Sequence, residues 1–484
     1  MFSRRHCSLA AQMPLILICC FFSGCSSDRD DNELPPPEQR NTASVESVPT
    51  PANQSEAGAF ASEAGSNPQQ PATSVDIEAS PPFAGSSNSA PTSRTLDLET
   101  ATAAQLKEVA LQALDLGQDD VAFKLVRKAL RREPENPEII YFHAMILAER
   151  HRFHEAIQIL DELAEKVPQS KLPVLGQTAE WMMEAGQFSE AEDRYRQILA
   201  IFPNEQRVHQ FLGQLLLQLG RRAEATSHLR YLMTVGALNQ EELRALLLVR
   251  HAFPGDDTSG RLVPLDDLAK ARQAIGDGKP ERALELLQQS DQPLATSLRA
   301  RIQTQRQEWD AVREWLATFD DSTADVDGQF AKASLCLEEG QVDQALRSVA
   351  QTILLDPTDA EAYDLLASAA EKANQPDVSQ RASDRAKQLR KTVEVGRQVI
   401  GDSEKNRDLV AQLIVLLQQL QRPLEVFGWK SVDLVYAMQA GRLTDNQAKQ
   451  LFDEISRQRE QFLQSQNQQI NQDFLLCGLR LEKP

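Results

Sequence analysis

Cysteine is the residue type in this sequence best suited to covalent chemistry. The positions of the cysteines limit the disulfides and the nucleophilic sites that the protein can form. Three of the six cysteines lie within the first 20 residues, a fourth is Cys25, and only Cys336 and Cys477 lie further along. Two cysteines allow one disulfide at most, so the sequence does not indicate a disulfide-rich scaffold. Cys336 falls at an inward-facing small position of a predicted helix. We therefore interpret it as a buried, inert thiol rather than a nucleophile.

Three histidines, His143, His151 and His154, lie close enough in the sequence to suggest a metal site. His151 lies in a predicted turn and His154 begins the next helix, so we interpret the cluster as solvated turn residues. The sequence also lacks a phosphate-binding loop with its lysine, a Gly-x-Ser-x-Gly elbow and a His-Glu-x-x-His helix. We predict that the protein is not an enzyme and holds no metal and no cofactor.

The first residues have the pattern of an export signal. Arg4 and Arg5 precede an apolar run over residues 9–22 that is too short to span a bilayer comfortably. The run ends in Ser23-Gly24-Cys25, which resembles the lipobox of bacterial lipoproteins. That resemblance implies that residues 1–24 are removed and that Cys25 is acylated, and Ser26 then favours the outer membrane. An ordinary secreted protein and an uncleaved anchor are the alternatives.

Residues 25–100 differ in composition from the rest of the chain. They hold ten of the 24 prolines, no lysine, and twelve acidic residues against three arginines. Such a segment buries too little apolar area to offset its conformational entropy, and its charge favours extension. We expect a disordered linker that holds the rest of the protein clear of the membrane.

The net charge excludes one class of partner. The 484 residues contain 51 Lys and Arg against 70 Asp and Glu, a formal charge of −19. Binding to nucleic acid needs a surplus of cations on at least one face, so we expect no nucleic-acid partner. We also expect no small-molecule substrate.

A sequence pattern recurs beyond residue 100 with helical spacing of its apolar residues. The alanines Ala122, Ala156, Ala191 and Ala225 each follow a turn, and they are 34, 35 and 34 residues apart. Small residues at these positions let paired helices approach closely, and a proline ends most of the units. This period resembles that of the tetratricopeptide repeat, a helical hairpin that stacks into a solenoid.

The resemblance implies an all-α fold, an α-solenoid of helical hairpins that follows the signal peptide and the linker. We expect a first array over residues 101–238, an irregular helix and hinge loop over 239–262, and a degenerate second array over 263–391. A last repeat over 392–440 and a capping helix and tail over 441–484 would complete it.

The resemblance also implies a binding groove on the inner face of the first helices of the repeats. Ten residues of this sequence match the groove positions: Glu138, Tyr141, Met145, Glu149, Glu180, Met183, Glu184, Arg207, Gln210 and Gln214. Acids, methionines and amides on this face suit a basic or amphipathic protein or peptide. The Lys and Asn pattern with which family members bind a peptide's C-terminal carboxylate is missing.

We conclude from the sequence that this is a membrane-anchored scaffold or assembly factor in the bacterial cell envelope. We expect it to be held by lipid, at the outer membrane facing the periplasm. The alternative is a regulatory or targeting module that recruits a separate envelope enzyme.

Overall fold

The computed structural model describes residues 99–253, 263–322, 325–402, 404–465 and 471–480. The predicted signal peptide, Cys25 and nearly all of the predicted linker lie outside the described residues. Every regular element within these ranges is a helix, which confirms the all-α prediction. From Ala103 onward the chain forms one compact unit. None of the described helices combines the length and apolar character needed to cross a bilayer.

Eight helices form the first array. They are α1 (Ala103–Asp115), α2 (Asp119–Arg132), α3 (Pro137–Glu149), α4 (Phe153–Lys166), α5 (Lys171–Glu184), α6 (Phe188–Ile201), α7 (Gln206–Gln218) and α8 (Arg222–Val235). They pack as the hairpins α1/α2, α3/α4, α5/α6 and α7/α8, which stack in sequence order. The four alanines that set the sequence period are fully buried in the second helix of each hairpin, as close helix packing requires.

Local signals explain where these helices begin and turn. Asn136 accepts hydrogen bonds from the backbone N–H groups of Glu138 and Ile139, and Pro137 occupies the first helical position of α3. The turn between α3 and α4 places His151 at φ +58°, where the other hairpins of this array have glycine. His151 is therefore a turn residue, as predicted. The interpretation of His143 as a solvated turn residue is wrong: it is a half-buried helix residue that stacks on Phe123 with ring centroids 5.8 Å apart.

A lone helix, α9 (Gln240–Leu247), follows the first array. Asn239 and Glu242 form a reciprocal capping box at its start. Residues 248–253, which we call the connector, continue from α9 without regular secondary structure. Leu248 is extended, and Leu248, Val249 and Phe253 are buried. Much of the predicted hinge loop, residues 254–262, lies outside the described chain.

Ten helices form the second array. They are α10 (Asp267–Gly276), α11 (Pro280–Leu287), α12 (Pro293–Gln305), α13 (Trp309–Leu316), α14 (Val326–Glu338), α15 (Val342–Leu355), α16 (Ala360–Lys372), α17 (Pro376–Gly401), α18 (Arg407–Gln419) and α19 (Pro423–Gln439). Helix α20 (Asp445–Gln464) packs on α19, and the short helix α21 (Gln472–Leu475) packs on α15. Cys336 and Cys477, the two cysteines in the described ranges, are buried and unpaired.

Helix α9 joins the first array to the end of the second. It packs against α17 and α19, and Leu243 and Leu247 share an apolar cluster with Val399, Trp429 and Tyr436. Two hydrogen bonds cross the same contact, from Gln240 Nε2 to the Tyr436 hydroxyl at 2.8 Å and from Arg422 Nη2 to the Leu246 carbonyl at 2.7 Å. The chain therefore closes back on itself between segments more than 170 residues apart.

Candidate binding groove

The inner face of the first array is built from the first helix of each hairpin, α1, α3, α5 and α7. Neighbouring helices are joined across this face by side chains. Lys107 Nζ lies 2.7 Å from Glu138 Oε2, the Tyr141 hydroxyl donates to Gln177 Oε1 at 3.4 Å, and Arg207 Nη2 lies 3.6 Å from Glu180 Oε1. We call this face the groove.

Eight of the ten sequence-predicted residues are at least partly accessible. Glu138, Glu149, Glu184 and Arg207 are exposed, and Met145, Glu180, Met183 and Gln210 are half-buried. The two others have limited access. Tyr141 is buried, and the half-buried Gln214 is engaged by a neighbouring helix.

The carboxylates of the groove repel one another and are partly desolvated. Burial raises the pKa of Glu180, and the nearby Glu184 raises it further while Arg207 opposes the shift. Burial, Asp119 and Glu184 together raise the pKa of Glu149. For both carboxylates burial is the largest cause and a neighbouring acid adds to it, so the ionised form is less stable than it is in water. A cation from outside would therefore be stabilised there.

The groove ends at α9. Gln214 Nε2 donates to Glu242 Oε1 at 3.0 Å, and Gln210 Nε2 lies 3.5 Å from the same atom. Glu242 is 1% exposed, so its carboxylate covers this end of the groove. The Asn239 and Glu242 capping box is visible in the sequence and locates the helix. Its contact with α7 depends on the tertiary fold, and sequence patterns alone did not predict it.

The inner face of the second array is occupied by the connector. Arg222 donates to the carbonyls of Leu248 and Val249 at 3.2 and 3.0 Å, and Arg272 Nη1 donates to the Arg250 carbonyl at 2.6 Å. The Val249 N–H donates to Thr358 Oγ1 at 3.0 Å. Residues of both arrays thus hold the connector through its backbone N–H and C=O groups.

A buried ionic network lies beside the connector. Arg301 Nη1 lies 3.3 Å from Asp327 Oδ1, and its Nη2 lies 2.6 Å from Asp359 Oδ2. Arg272 Nη2 also contacts Asp327, at 2.7 Å, and Arg250 pairs with Asp359 and Glu361. These contacts link α10, α12, α14 and the start of α16. The network therefore joins the first helices of four successive hairpins of the second array.

No metal site appears in the described ranges, because no three His, Cys, Asp or Glu side chains come together as ligands. Two histidines that the sequence did not single out do meet. The Nδ1 atoms of His209 and His228 lie 2.9 Å apart, and burial together with His209 lowers the pKa of His228 to about 4. This contact joins α7 to α8.

Comparison with known proteins identifies the repeats. Residues 113–172 and 182–247 match the tetratricopeptide repeat family model. No curated protein sequence matches the chain significantly.

Solved structures of repeat proteins resemble the chain at low identity. A tetratricopeptide repeat protein from Parabacteroides merdae is 15% identical, with 55% of this chain and 98% of that chain covered and a TM-score of 0.27. The repeat domain of P58(IPK) is 16% identical, with 75% and 99% covered and a TM-score of 0.22. Yeast Tom70 is also 16% identical, with 73% and 84% covered and a TM-score of 0.22.

Proposed function

Because this chain contains tetratricopeptide repeats, we propose that it is an interaction scaffold whose groove binds a basic or amphipathic segment of a partner protein. The observation that carries the proposal is the contrast between the two inner faces. The face of the second array is filled by the connector and its ionic network. The face of the first array presents exposed Glu138, Glu149 and Glu184.

The chemistry of the groove favours a cationic partner with apolar side chains. Lysine or arginine side chains would favour the ionised forms of Glu149 and Glu180, whose pKa values are raised mainly by burial and further by neighbouring acids. Met145 and Met183 are half-buried beside these acids, and flexible thioethers adapt to apolar side chains of varied shape. An amphipathic helix or an extended basic segment would satisfy both features.

The place of action that we propose is the bacterial cell envelope. The lipobox-like sequence Ser23-Gly24-Cys25 supports acylation of Cys25, and several acyl chains give durable anchoring where one chain is marginal. The acidic, proline-rich residues 25–100 would then give the repeats reach away from the bilayer. In this setting the protein would act as a non-enzymatic scaffold or assembly factor at the outer membrane, facing the periplasm.

A cross-linked pull-down from detergent-solubilised membranes tests the groove. We expect one defined partner with the intact protein, and at least tenfold lower recovery with Glu180→Lys or Met183→Glu. Glu190→Lys is the control for Glu180→Lys, because it makes the same charge change at an exposed position on the second helix of the hairpin. It should leave recovery unchanged. Equal recovery with all three variants would show that the groove does not bind the partner. A partner with catalytic activity would instead favour the recruitment of an enzyme.

Membrane fractionation tests the anchor separately. Intact protein should sediment with membranes and incorporate a labelled fatty acid, and Cys25→Ala should lose the label and leave the membrane fraction. If the variant stays equally membrane-bound, the lipid anchor is wrong, whatever the pull-down shows.

A further inference from the structure

Closure of the chain forms a cavity that is separate from the groove. The cavity encloses about 790 Å³ where α8, the connector, the turn before α16 and the start of α19 meet. Its walls are largely apolar, with contributions from Met233, Leu246, Leu424, Val426, Phe427 and Phe462. A volume of this size is typical of small-molecule sites, which combine apolar walls with a few polar groups.

The charged residues on the cavity wall are mostly cationic, although the protein as a whole is acidic. Arg230, Arg422 and Lys430 line the cavity, and Glu425 is the one acid among the described lining residues. Glu425 is already engaged, because both of its carboxylate oxygens accept hydrogen bonds from Arg422 at 2.7 and 2.6 Å. The wall therefore has unneutralised positive charge.

The cations of the wall indicate where an anion would bind. Arg422 is held in place at this wall, because Glu425 and the Leu246 carbonyl accept the hydrogen bonds from its Nε and Nη2 atoms. Arg230 lies at the same wall. Burial lowers its pKa, and the charge of Arg422 adds to this effect while Glu425 opposes it. A carboxylate beside Arg230 would balance the positive charge of this wall.

We propose that this cavity binds an aliphatic carboxylate such as a fatty acid, with its carboxylate beside Arg230 at the cationic wall and its chain along the apolar wall. The apolar wall fits the alkyl chain, and the cations select an acid over an alcohol or an amine of the same length. Because the cavity wall comes from both arrays, a bound ligand also stabilises the closed arrangement of the chain.

Competition against a fluorescent fatty acid tests the proposal with the full-length protein. Dodecanoate should displace the probe, whereas dodecanol should be at least tenfold weaker and dodecyltrimethylammonium should not compete. Arg230→Gln should weaken dodecanoate binding about tenfold, because it removes one charge-assisted contact while leaving the apolar wall intact. Leu424→Asp, which places a negative charge on that wall, should abolish binding.

Arg347→Gln serves as the matched control, since Arg347 is an exposed arginine that does not line the cavity. Equal binding of dodecanoate and dodecyltrimethylammonium would overturn the proposal, as would unchanged affinity in Arg230→Gln with its fold intact. Displacement of the probe by an apolar peptide with a free C-terminal carboxylate, but not by dodecanoate, would overturn it in favour of a protein ligand. None of these results depends on the partner of the groove.

Discussion

At the scale of the residue, the turn within each hairpin depends on one left-handed backbone position. Gly117, Gly186 and Gly220 occupy it in three hairpins of the first array, and His151 occupies it in the fourth. Glycine adopts this conformation without the steric cost that a Cβ imposes. Sequence spacing predicted these turns, and it also identified His151 as a turn residue, because the requirement is local to the turn.

The groove residues show which contacts sequence can and cannot predict. Repeat register places Glu138, Tyr141 and Glu180 on one face, since residues on one side of a helix recur with a fixed period. The engagement of Gln210 and Gln214 by Glu242 could not be predicted in this way. It depends on where α9 packs. Because α9 lies outside the repeat pattern, the repeat period does not predict its position.

Acid should destabilise the protein through His251. Burial lowers the pKa of His251 to about 3 from an ordinary value of 6.5, with Arg250 and Arg222 lowering it and the Ala252 carbonyl and Glu361 opposing them. The unfolded chain therefore binds a proton below about pH 6.5 that the folded chain does not. Stability from this residue is fully present above that pH and is lost as the pH falls toward 3.

We expect the free energy of unfolding of the intact protein to fall by roughly 2 kcal/mol more than that of His251→Gln between pH 7 and pH 4.5. Denaturant titrations of both proteins at the two pH values measure the difference. Parallel losses in the two proteins would assign the acid sensitivity to other groups, such as His228.

At the scale of the element, α9 lies against two helices that have glycine at the point of contact. A Cβ atom at Gly428 in α19 would lie 2.5 Å from Leu243 Cδ2, and one at Gly396 in α17 would lie 2.7 Å from Leu247 Cδ1. Both distances are shorter than carbon atoms tolerate without movement. The leucines of α9 are therefore packed directly on the backbone of α17 and α19.

Adding a methyl group at these contacts should destabilise the protein. We expect Gly428→Ala and Gly396→Ala each to cost about 1–3 kcal/mol, the usual cost of overpacking a core. Gly176→Ala is the matched control, since its Cβ meets nothing within 4 Å in α5, and it should stabilise by about 0.5–1 kcal/mol through helix propensity. Thermal unfolding of the three variants distinguishes close packing from propensity. A stabilised Gly428→Ala would contradict the packing of α9.

The helices and their pairing could be predicted from the sequence, whereas the path of the chain between the arrays could not. Residues 239–253 interrupt the repeat period, so the sequence predicted only an irregular helix and a hinge loop in this region. In the structure the connector is fixed by Arg222, Arg272 and Thr358, which belong to three distant parts of the chain. Arginine and threonine usually lie on protein surfaces, so nothing in the sequence marks these three residues as buried contacts.

At the scale of the whole molecule, closure should make the two arrays unfold together. Repeat arrays usually depend on nearest neighbours, so damage in one repeat stays local. Trp429 in α19 is fully buried in the cluster that contains Leu243 and Leu247 of α9. Loss of the Trp429 side chain would therefore remove packing from α9 as well as from α17 and α19.

We expect Trp429→Ala to cost about 3–5 kcal/mol and to increase hydrogen exchange in α9 and α8 as well as in α17 and α19. Leu106→Ala, at an equally buried position in α1, should increase exchange in the first hairpins and leave α19 unchanged. Mass-spectrometric hydrogen exchange on the intact chain and both variants separates the two patterns. Protection of α8 and α9 that is unaffected in Trp429→Ala would show that closure contributes little to their stability.

The docking of α9 on α17 and α19 also sets the order in which the protein is completed during synthesis. The ribosome makes Leu243 and Leu247 long before it makes Gly396 and Gly428, on which they pack. The first hairpins contain only local contacts and can fold as they emerge, whereas α9 must wait for the end of the second array. Until then these leucines lack the residues on which they pack, so a chain that ends before α17 would leave them exposed.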